Sequence, residues 1–336
     1  MKPEVSVLMS VYNGERYVRE SVESILNQTF RDFEFIIVND GSTDGTGAIL
    51  AGFKDSRIVI VDNVENRGLA RSLNTAISSV RGKYLARQDA DDLSLPERLE
   101  KQVCYLDKHE SVGLLGTGAV CIGANGETLK VQHYVRESDP AIRWEMLFAN
   151  AFVHSSVMFR LASVSDCPKV YDPGYAVSQD YDLWCRMLDR VQGANIGEPL
   201  VRIRKHPGQV SGTRSGEQRR IADRISLEQM RKFCGSELRA DIAAKLREWH
   251  VRPPRIIGKT DITAAVCMAM MLKALVRTMP SGSHRDVSGI VRFWTNCLRN
   301  AIRSGNNSWL AKKMIILRLA PLLFFLRLHP RRPGLL

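Results

Sequence analysis

Strand-length apolar runs alternate with helix-periodic segments through the N-terminal part of this chain, and that alternation limits the fold more than any other feature. Between Val5 and Val11, Val5, Val7, Met9 and Val11 fall on one face and Ser6, Leu8 and Ser10 on the other, the period-2 signature of a strand. Asn13-Gly14 ends the run, and Val18, Val22, Ile25 and Leu26 then recur at helical spacing. Residues 33–38 form a second apolar run, closed by Asn39-Asp40-Gly41-Ser42-Thr43-Asp44-Gly45. Ser42, Thr43 and Asp44 there are good caps for a helix to about Phe53. Residues 57–61 give a third strand, residues 63–68 a loop, and Leu69, Leu73 and Ile77 a third helix. Residues 83–88 give a fourth strand. Such alternation predicts parallel βαβ units. Ligands of open parallel sheets bind beyond the carboxyl ends of the strands, so the Asn13 turn and the loops holding Asp40 and Arg67 are expected along one edge.

The fourth strand runs into Arg87-Gln88-Asp89-Ala90-Asp91-Asp92, which puts three carboxylates in four positions. Close like charges repel, so the cluster needs a counter-charge. A divalent cation is a common supplier, because Mg²⁺ binds through one or two carboxylates and the phosphates of a substrate. The plain alternative is an acidic loop whose Asp caps the helix starting near Pro96-Glu97. An Asp-x-Asp triplet alone is a weak motif. Its position after three other strand ends carrying polar groups favours a ligand.

Six ordered stretches carry a family resemblance. They are Val5-Ser6-Val7-Leu8-Met9-Ser10-Val11-Tyr12-Asn13, Ile37-Val38-Asn39-Asp40-Gly41-Ser42-Thr43-Asp44, Asn66-Arg67-Gly68-Leu69-Ala70, Asp89-Ala90-Asp91-Asp92, His154-Ser155-Ser156-Val157-Met158-Phe159 and Gln179-Asp180-Tyr181-Asp182-Leu183-Trp184. Over roughly residues 3–212 the chain resembles the family-2 glycosyltransferases of the GT-A fold, inverting enzymes that use nucleotide sugars. The resemblance implies an α/β catalytic domain over 1–212, with a Rossmann-like, mostly parallel central sheet flanked by helices. Residues 1–123 would be its nucleotide-sugar half and 124–212 its acceptor side.

The resemblance also implies roles for single residues. Val11, Tyr12 and Asn13 would line the site of a uracil-type base, and Asp40 would accept from the base N3–H. A turn-forming Asp is the alternative there. Arg67 and Arg71 would face the diphosphate, or else form a solvated basic helix face. Asp89 and Ala90 would lie on the ribose side, and Asp91 would hold Mg²⁺ or Mn²⁺, with His206 of Arg204-Lys205-His206-Pro207 as a further ligand. Asp180 matches the general base, at a helix start where it can also serve as a cap. Asp182 is second in line, and Gln179 departs from the Glu-Asp pair common in the family. Asp92 would support the metal site from behind or contact the sugar, with a cap as the alternative. On the sugar or acceptor side stand His154, with a core histidine as the alternative, and Trp184, whose helical spacing from Leu188 favours a core indole.

Charge divides the chain. Residues 1–210 carry 24 Lys/Arg against 28 Asp/Glu, a balance of −4, and residues 211–336 carry 24 against 8, a balance of +16. A basic C-terminal region suggests an anionic partner. Residues 262–276 hold one charge, Lys273, and residues 314–328 hold two, Arg318 and Arg327. Both runs fall short of the roughly 20 residues that span a bilayer. With Trp309, Lys312, Lys313, Arg331 and Arg332 around Ile315, Ile316, Leu322, Phe324 and Phe325, residues 213–336 read as basic helices lying on an anionic membrane surface. The alternative is a helical bundle with a solvated basic face. Nucleic acid is not an expected partner, since no zinc-finger, helix-turn-helix or aromatic RNA-binding signature accompanies the charge. Seven scattered cysteines without C-x-x-C, and a strand starting at Val5, predict a cytoplasmic protein on the inner face of the cell membrane.

The resemblance thus implies hexosyl or N-acetylhexosaminyl transfer from a UDP-linked donor to a glycan or lipid-linked glycan, in cell-surface polysaccharide synthesis. A processive synthase would add spanning helices and a Q-x-x-R-W segment, and neither is present in the sequence. Nucleotidyl transfer would need a Gly-rich phosphate loop, which Asn13-Gly14 does not supply. A catalytically impaired nucleotide-sugar-binding subunit is the non-enzyme rival; Asp91 and Asp180 argue against it and Gln179 argues for it.

Overall fold

The structure is a computed structural model that describes residues 2–133, 135–167, 169–256, 261–277 and 284–304. In chain order the elements are β1 (Val5–Val11), α1 (Val18–Leu26), β2 (Phe33–Asn39), α2 (Thr46–Ala51), β3 (Ile58–Asp62), α3 (Leu69–Ile77), β4 (Tyr84–Arg87), β5 (Leu93–Ser94), α4 (Arg98–Lys108), β6 (Val112–Ile122) and β7 (Thr128–His133). There follow α5 (Asp139–Glu145), β8 (Met158–Arg160), α6 (Gln179–Leu188), β9 (Gln192–Arg204), α7 (Val210–Thr213), α8 (Ser215–Cys234), α9 (Ala240–Val251), α10 (Ile262–Arg277) and α11 (His284–Ser304). Short 3₁₀ turns at His154–Ser156 and Leu161–Val164 flank β8.

The described residues divide into two compact units, one of residues 1–137 with 150–221, the other of 138–149 with residues from 222 onward. The sequence reading put the boundary at 212. The helical unit also takes α5, because Trp144 and Phe148 belong to its core.

In the first unit nine strands form one sheet in the order β3-β2-β1-β4-β8-β6-β9-β5, with β7 on β6. The β3-β2-β1-β4 half is parallel, as the alternation requires. Beyond it β8 runs antiparallel to both β4 and β6, while β9 lies parallel to β6. The fold is α/β, and its second half is mixed.

Packing follows from the strand pattern. Val5, Val7, Met9 and Val11 share one face of β1 and bury it against Val18, Val22 and Ile25 of α1 and Leu99, Val103 and Leu106 of α4. Leu8, on the opposite face, is equally buried. A central parallel strand is covered on both sides and loses the clean polar alternation of a half-exposed one. Register then assembles the edge: Val11 pairs with Asn39, and Leu8 with Arg87. The loops after β1, β2 and β4 therefore leave the sheet side by side.

In the second unit α9 and α11 each pack on α10, and α11 also packs on α5. The low-charge run of α10 buries Ala264, Ala265, Met268, Met271, Leu272 and Leu275 in this unit's core. Residues 305–336, and with them the apolar run 314–328 singled out in the sequence, lie outside the described residues.

Candidate active site

The loops after β1 and β2 are laced together. Asp40 N–H donates to Val11 C=O at 2.8 Å, which sets Val11 in the core and ties the two strand ends. Asn13 takes a left-handed backbone, φ 51°, and its Oδ1 accepts from Thr43 N–H at 2.8 Å. Asn is among the few residues that adopt this region readily. Gly14 N–H donates to the Thr46 hydroxyl, and Gly45 N–H to the Glu15 carboxylate. Tyr12, at the head of this loop, stays half-exposed at 49 %.

Asp40 is buried and closes the next loop. One of its carboxylate oxygens accepts from Arg67 N–H and Asn63 Nδ2, the other from Gly68 N–H, at 2.8–2.9 Å. Burial would raise its pKa, but these hydrogen bonds outweigh burial and hold it below the usual value. Gly41 follows at φ 70°, where a Cβ would meet the Glu65 backbone at 2.4 Å, so glycine is required. Arg67 thus serves this loop through its main chain, and its side chain, like that of Arg71, is exposed. The stability Asp40 contributes is present above the ordinary carboxylate range and is lost as pH falls through its depressed pKa. Asp40→Asn should cost about 1–3 kcal/mol at neutral pH, the penalty for stranding buried donors. Urea unfolding of both proteins should show the difference closing in strong acid; a pH-independent difference would remove the ionised carboxylate from the account.

The three carboxylates after β4 receive unequal partners. Asp89 accepts from Arg87 Nη2 at 2.9 Å and lies 3.3 Å from His154 Nδ1. Arg87 Nε donates to His154 Nε2 at 3.2 Å. A guanidinium can only donate, so Nε2 accepts and the His154 proton sits on Nδ1, facing Asp89. Burial would raise the Asp89 carboxyl; His154, Arg87 and Arg98 overcome it and hold the carboxyl well below the usual range. Asp92 is 4 % exposed and accepts from the Ser155 hydroxyl and from Arg204 N–H. Burial first, then the charges of Asp91 and Asp89, push it well above its usual value.

Asp91 is different. Burial and the Asp89 charge raise its pKa despite a hydrogen bond with His206, whose Nε2 lies 3.0 Å from Oδ2. It has no arginine on its carboxylate among the described residues. Adjacent ligands of a cation at about 2.1 Å stand roughly 3 Å apart, so this oxygen and nitrogen are spaced as a pair of metal donors. No group of three His, Cys, Asp or Glu able to hold a metal occurs among the described residues. A cation here would complete its shell with phosphate oxygens and water, as Mg²⁺ sites commonly do.

Arg204 binds this corner together. It is 2 % exposed, donates to the Asp91 carbonyl at 3.0 Å and to Glu20 at 2.7 Å, and lies over the Tyr17 ring. Two residues on, His206 packs against the same ring. Arg98 is fully buried and ties the Arg87 carbonyl to Gln88 and Ser94.

On α6, Asp180 is half-buried in the first turn, and Asn150 Nδ2 donates to its Oδ2 at 2.8 Å. Ser178 opens the helix at φ 58°, so Asp180 is not the capping residue. Asp182 is engaged with Arg186 at 2.8 Å.

Burial decides against a sugar contact for two residues. Trp184 is fully buried beside Phe152 and Phe159, a core residue and no sugar platform. Asp92 is enclosed by Ser155 and Arg204, and Glu97 stands at the cap position of α4. His154 acts on Asp89. Ala90 is half-buried against the sheet core. Arg87, Arg98, Arg204 and Ser155 are the site residues that sequence reasoning passed over. Arg87 alone carried a signal, a charge inside an apolar strand, whereas Arg204 meets Asp91 across 113 positions.

The family description "Glycosyl transferase family 2" matches residues 6–164. The O-antigen biosynthesis glycosyltransferase WbnJ of Escherichia coli is 36% identical over 208 residues, 60% of this chain and 80% of that protein. The chain belongs to glycosyltransferase family 2. Among solved structures, Staphylococcus aureus TarS 1–349 in complex with UDP superposes with a TM-score of 0.54 at 15% identity, over 99% of this chain and 94% of that one. The mannosyltransferase PcManGT from Pyrobaculum calidifontis, in complex with GDP-Man and Mn²⁺, gives 0.51 at 17% identity, over 96% and 88%. The fold of this glycosyltransferase is GT-A, as the resemblance implied.

Proposed function

We propose that this glycosyltransferase moves a hexosyl or N-acetylhexosaminyl group from a UDP-linked donor to a hydroxyl of a glycan or lipid-linked glycan. Transfer would invert the anomeric centre, need Mg²⁺ or Mn²⁺, and serve cell-surface polysaccharide synthesis. One observation carries the proposal: Asp89 has an arginine and Asp92 two neutral donors, while Asp91, raised by burial and by the Asp89 charge, offers its carboxylate beside His206.

Asp91 and His206 would hold the cation, whose positive charge would favour departure of the diphosphate. Val11, Tyr12, Asn13 and Asp40 would seat the base, Asp89 and Ala90 the ribose side, and Arg67 and Arg71 the diphosphate. Asp180, oriented by Asn150, would take the proton of the acceptor hydroxyl. The hydroxyl oxygen would attack the anomeric carbon as the bond to the diphosphate breaks on the opposite face. Asp182 is the weaker choice of base because Arg186 holds it. The UDP of TarS, the GDP-Man and Mn²⁺ of PcManGT and the O-antigen role of WbnJ support donor, metal and pathway. A panel of UDP- and GDP-sugars, assayed for nucleotide release with and without EDTA, tests the reading. EDTA-sensitive release from a UDP-sugar supports it; EDTA-insensitive turnover removes the metal, and preference for a GDP-sugar removes the UDP assignment.

A place on the inner face of the membrane is proposed on the sequence. The support is the +16 balance of residues 211–336 and apolar runs too short to span. Among the described residues no helix is long and apolar enough to cross a membrane. Because α10 belongs to its unit's core, the segment beyond residue 304 is the one to remove. Full-length protein should sediment with anionic vesicles, less so as salt rises, given a Debye length of about 8 Å at physiological ionic strength. Truncation after residue 304 should weaken binding without changing UDP affinity. Equal binding to neutral and anionic vesicles would discard the electrostatic part, and no binding to either would discard the membrane.

A further inference from the structure

The segment of residues 169–178 leads into α6 and so carries the approach to Asp180. Asn74 on α3 grips it. Its Nδ2 donates to the Tyr171 carbonyl at 2.6 Å, and its Oδ1 accepts from Tyr171 N–H at 2.9 Å. A carboxamide bonded to both main-chain groups of one residue imitates a hydrogen-bonded pair of strand residues, and it fixes both position and orientation of that residue. Tyr171 is fully buried, with its ring edge-on to His154 at 6.3 Å. One residue earlier, the Val170 carbonyl accepts from Arg186 Nη2 of α6 at 2.7 Å. The segment is therefore held on one side by the helix that follows Arg67 and on the other by the helix that carries Asp180. At its end Ser178 adopts φ 58°, a left-handed conformation that non-glycine residues keep only where neighbours enforce it.

We propose that Asn74 is a positioning residue, registering residues 169–178 on α3 and thereby placing Asp180. This rests on the reading of Asp180 as the base. Asn74 touches none of the carboxylates after β4, so its loss should act on turnover and not on the nucleotide.

Asn74→Ala tests this in the full chain. Amide hydrogen exchange across residues 169–178 should quicken about tenfold to a hundredfold for the two hydrogen bonds lost, while β1, β2 and β4 keep their protection. With the nucleotide sugar that the wild type turns over, kcat should fall about tenfold and KM for that donor should stay constant. Asn74→Asp keeps the acceptor for Tyr171 N–H but loses the donor, so it should lie between. Unchanged exchange in this segment, or a KM for the donor that rises in step with the loss of kcat, would overturn the proposal. Absence of wild-type turnover on every nucleotide sugar would sink the glycosyl-transfer reading, and the exchange result would then decide the role of Asn74 alone.

Discussion

Asp91→Ala loses turnover by at least about 10³-fold, the upper range for deleting one charge-stabilising group, and does so in a protein that is no less stable. The expectation combines two observations. The Asp91 carboxylate has no guanidinium partner among the described residues, and burial, then the Asp89 charge, raise its pKa. A carboxyl raised above its unfolded value costs stability once ionised, so at neutral pH its removal relieves the cost of burying the charge and the repulsion from Asp89. Asp89→Ala should behave oppositely, because it strands the buried Arg87 beside His154; a buried charge left without its partner costs several kcal/mol. Thermal unfolding of both variants alongside nucleotide release separates the two roles. A folded Asp91→Ala protein with wild-type turnover would leave Asp91 without a function.

Asp180→Asn lowers kcat by about 10²–10⁴, the range for a lost general base, with UDP affinity unchanged. The substitution keeps the shape of the side chain and an oxygen for Asn150 to donate to, so packing of α6 is preserved. Calorimetry with UDP and steady-state kinetics on the same sample give the comparison. A collapse of nucleotide affinity with kcat maintained would move Asp180 to the donor side.

The half of the molecule built from local signals was legible in the sequence. Strand β1 came from a period-2 run and β2 to β4 from short apolar runs, while α1 and α3 came from helical spacing and α2 from its capping residues. The strands' parallel order then put Asn13, Asp40, Arg67 and Asp89 at one edge without any contact being known. The mixed half was not legible, because β8 is three residues long and β6, besides its hairpin partner β7, pairs with β8 and β9 from far along the chain. The same limit applied to charge. The cluster after β4 was read as wanting an external cation, yet Arg87 answers Asp89, and the main-chain N–H of Arg204 answers Asp92 from 112 positions away. What remained was narrower than three carboxylates: a single one, Asp91, beside His206. Trp184 differed: its helical spacing from Leu188 already favoured the core over a sugar platform, and burial agrees.

The helical unit shows the cost of reading composition without topology. Residues 262–276 are nearly uncharged, which suits either an interface with lipid or a protein core. The structure fills a core with them, and α5, which lies far earlier in sequence, contributes Trp144 to it. No local pattern announced that partnership.

UDP affinity measured calorimetrically with and without Mn²⁺, in the wild type and in Asp91→Ala, shows whether Asp91 couples a metal to the nucleotide. Mn²⁺ should tighten UDP binding to the wild type, and this gain should disappear in Asp91→Ala, with metal-free affinity alike in the two. Equal UDP affinity with and without Mn²⁺ in the wild type, or a gain that survives the loss of Asp91, would contradict that coupling.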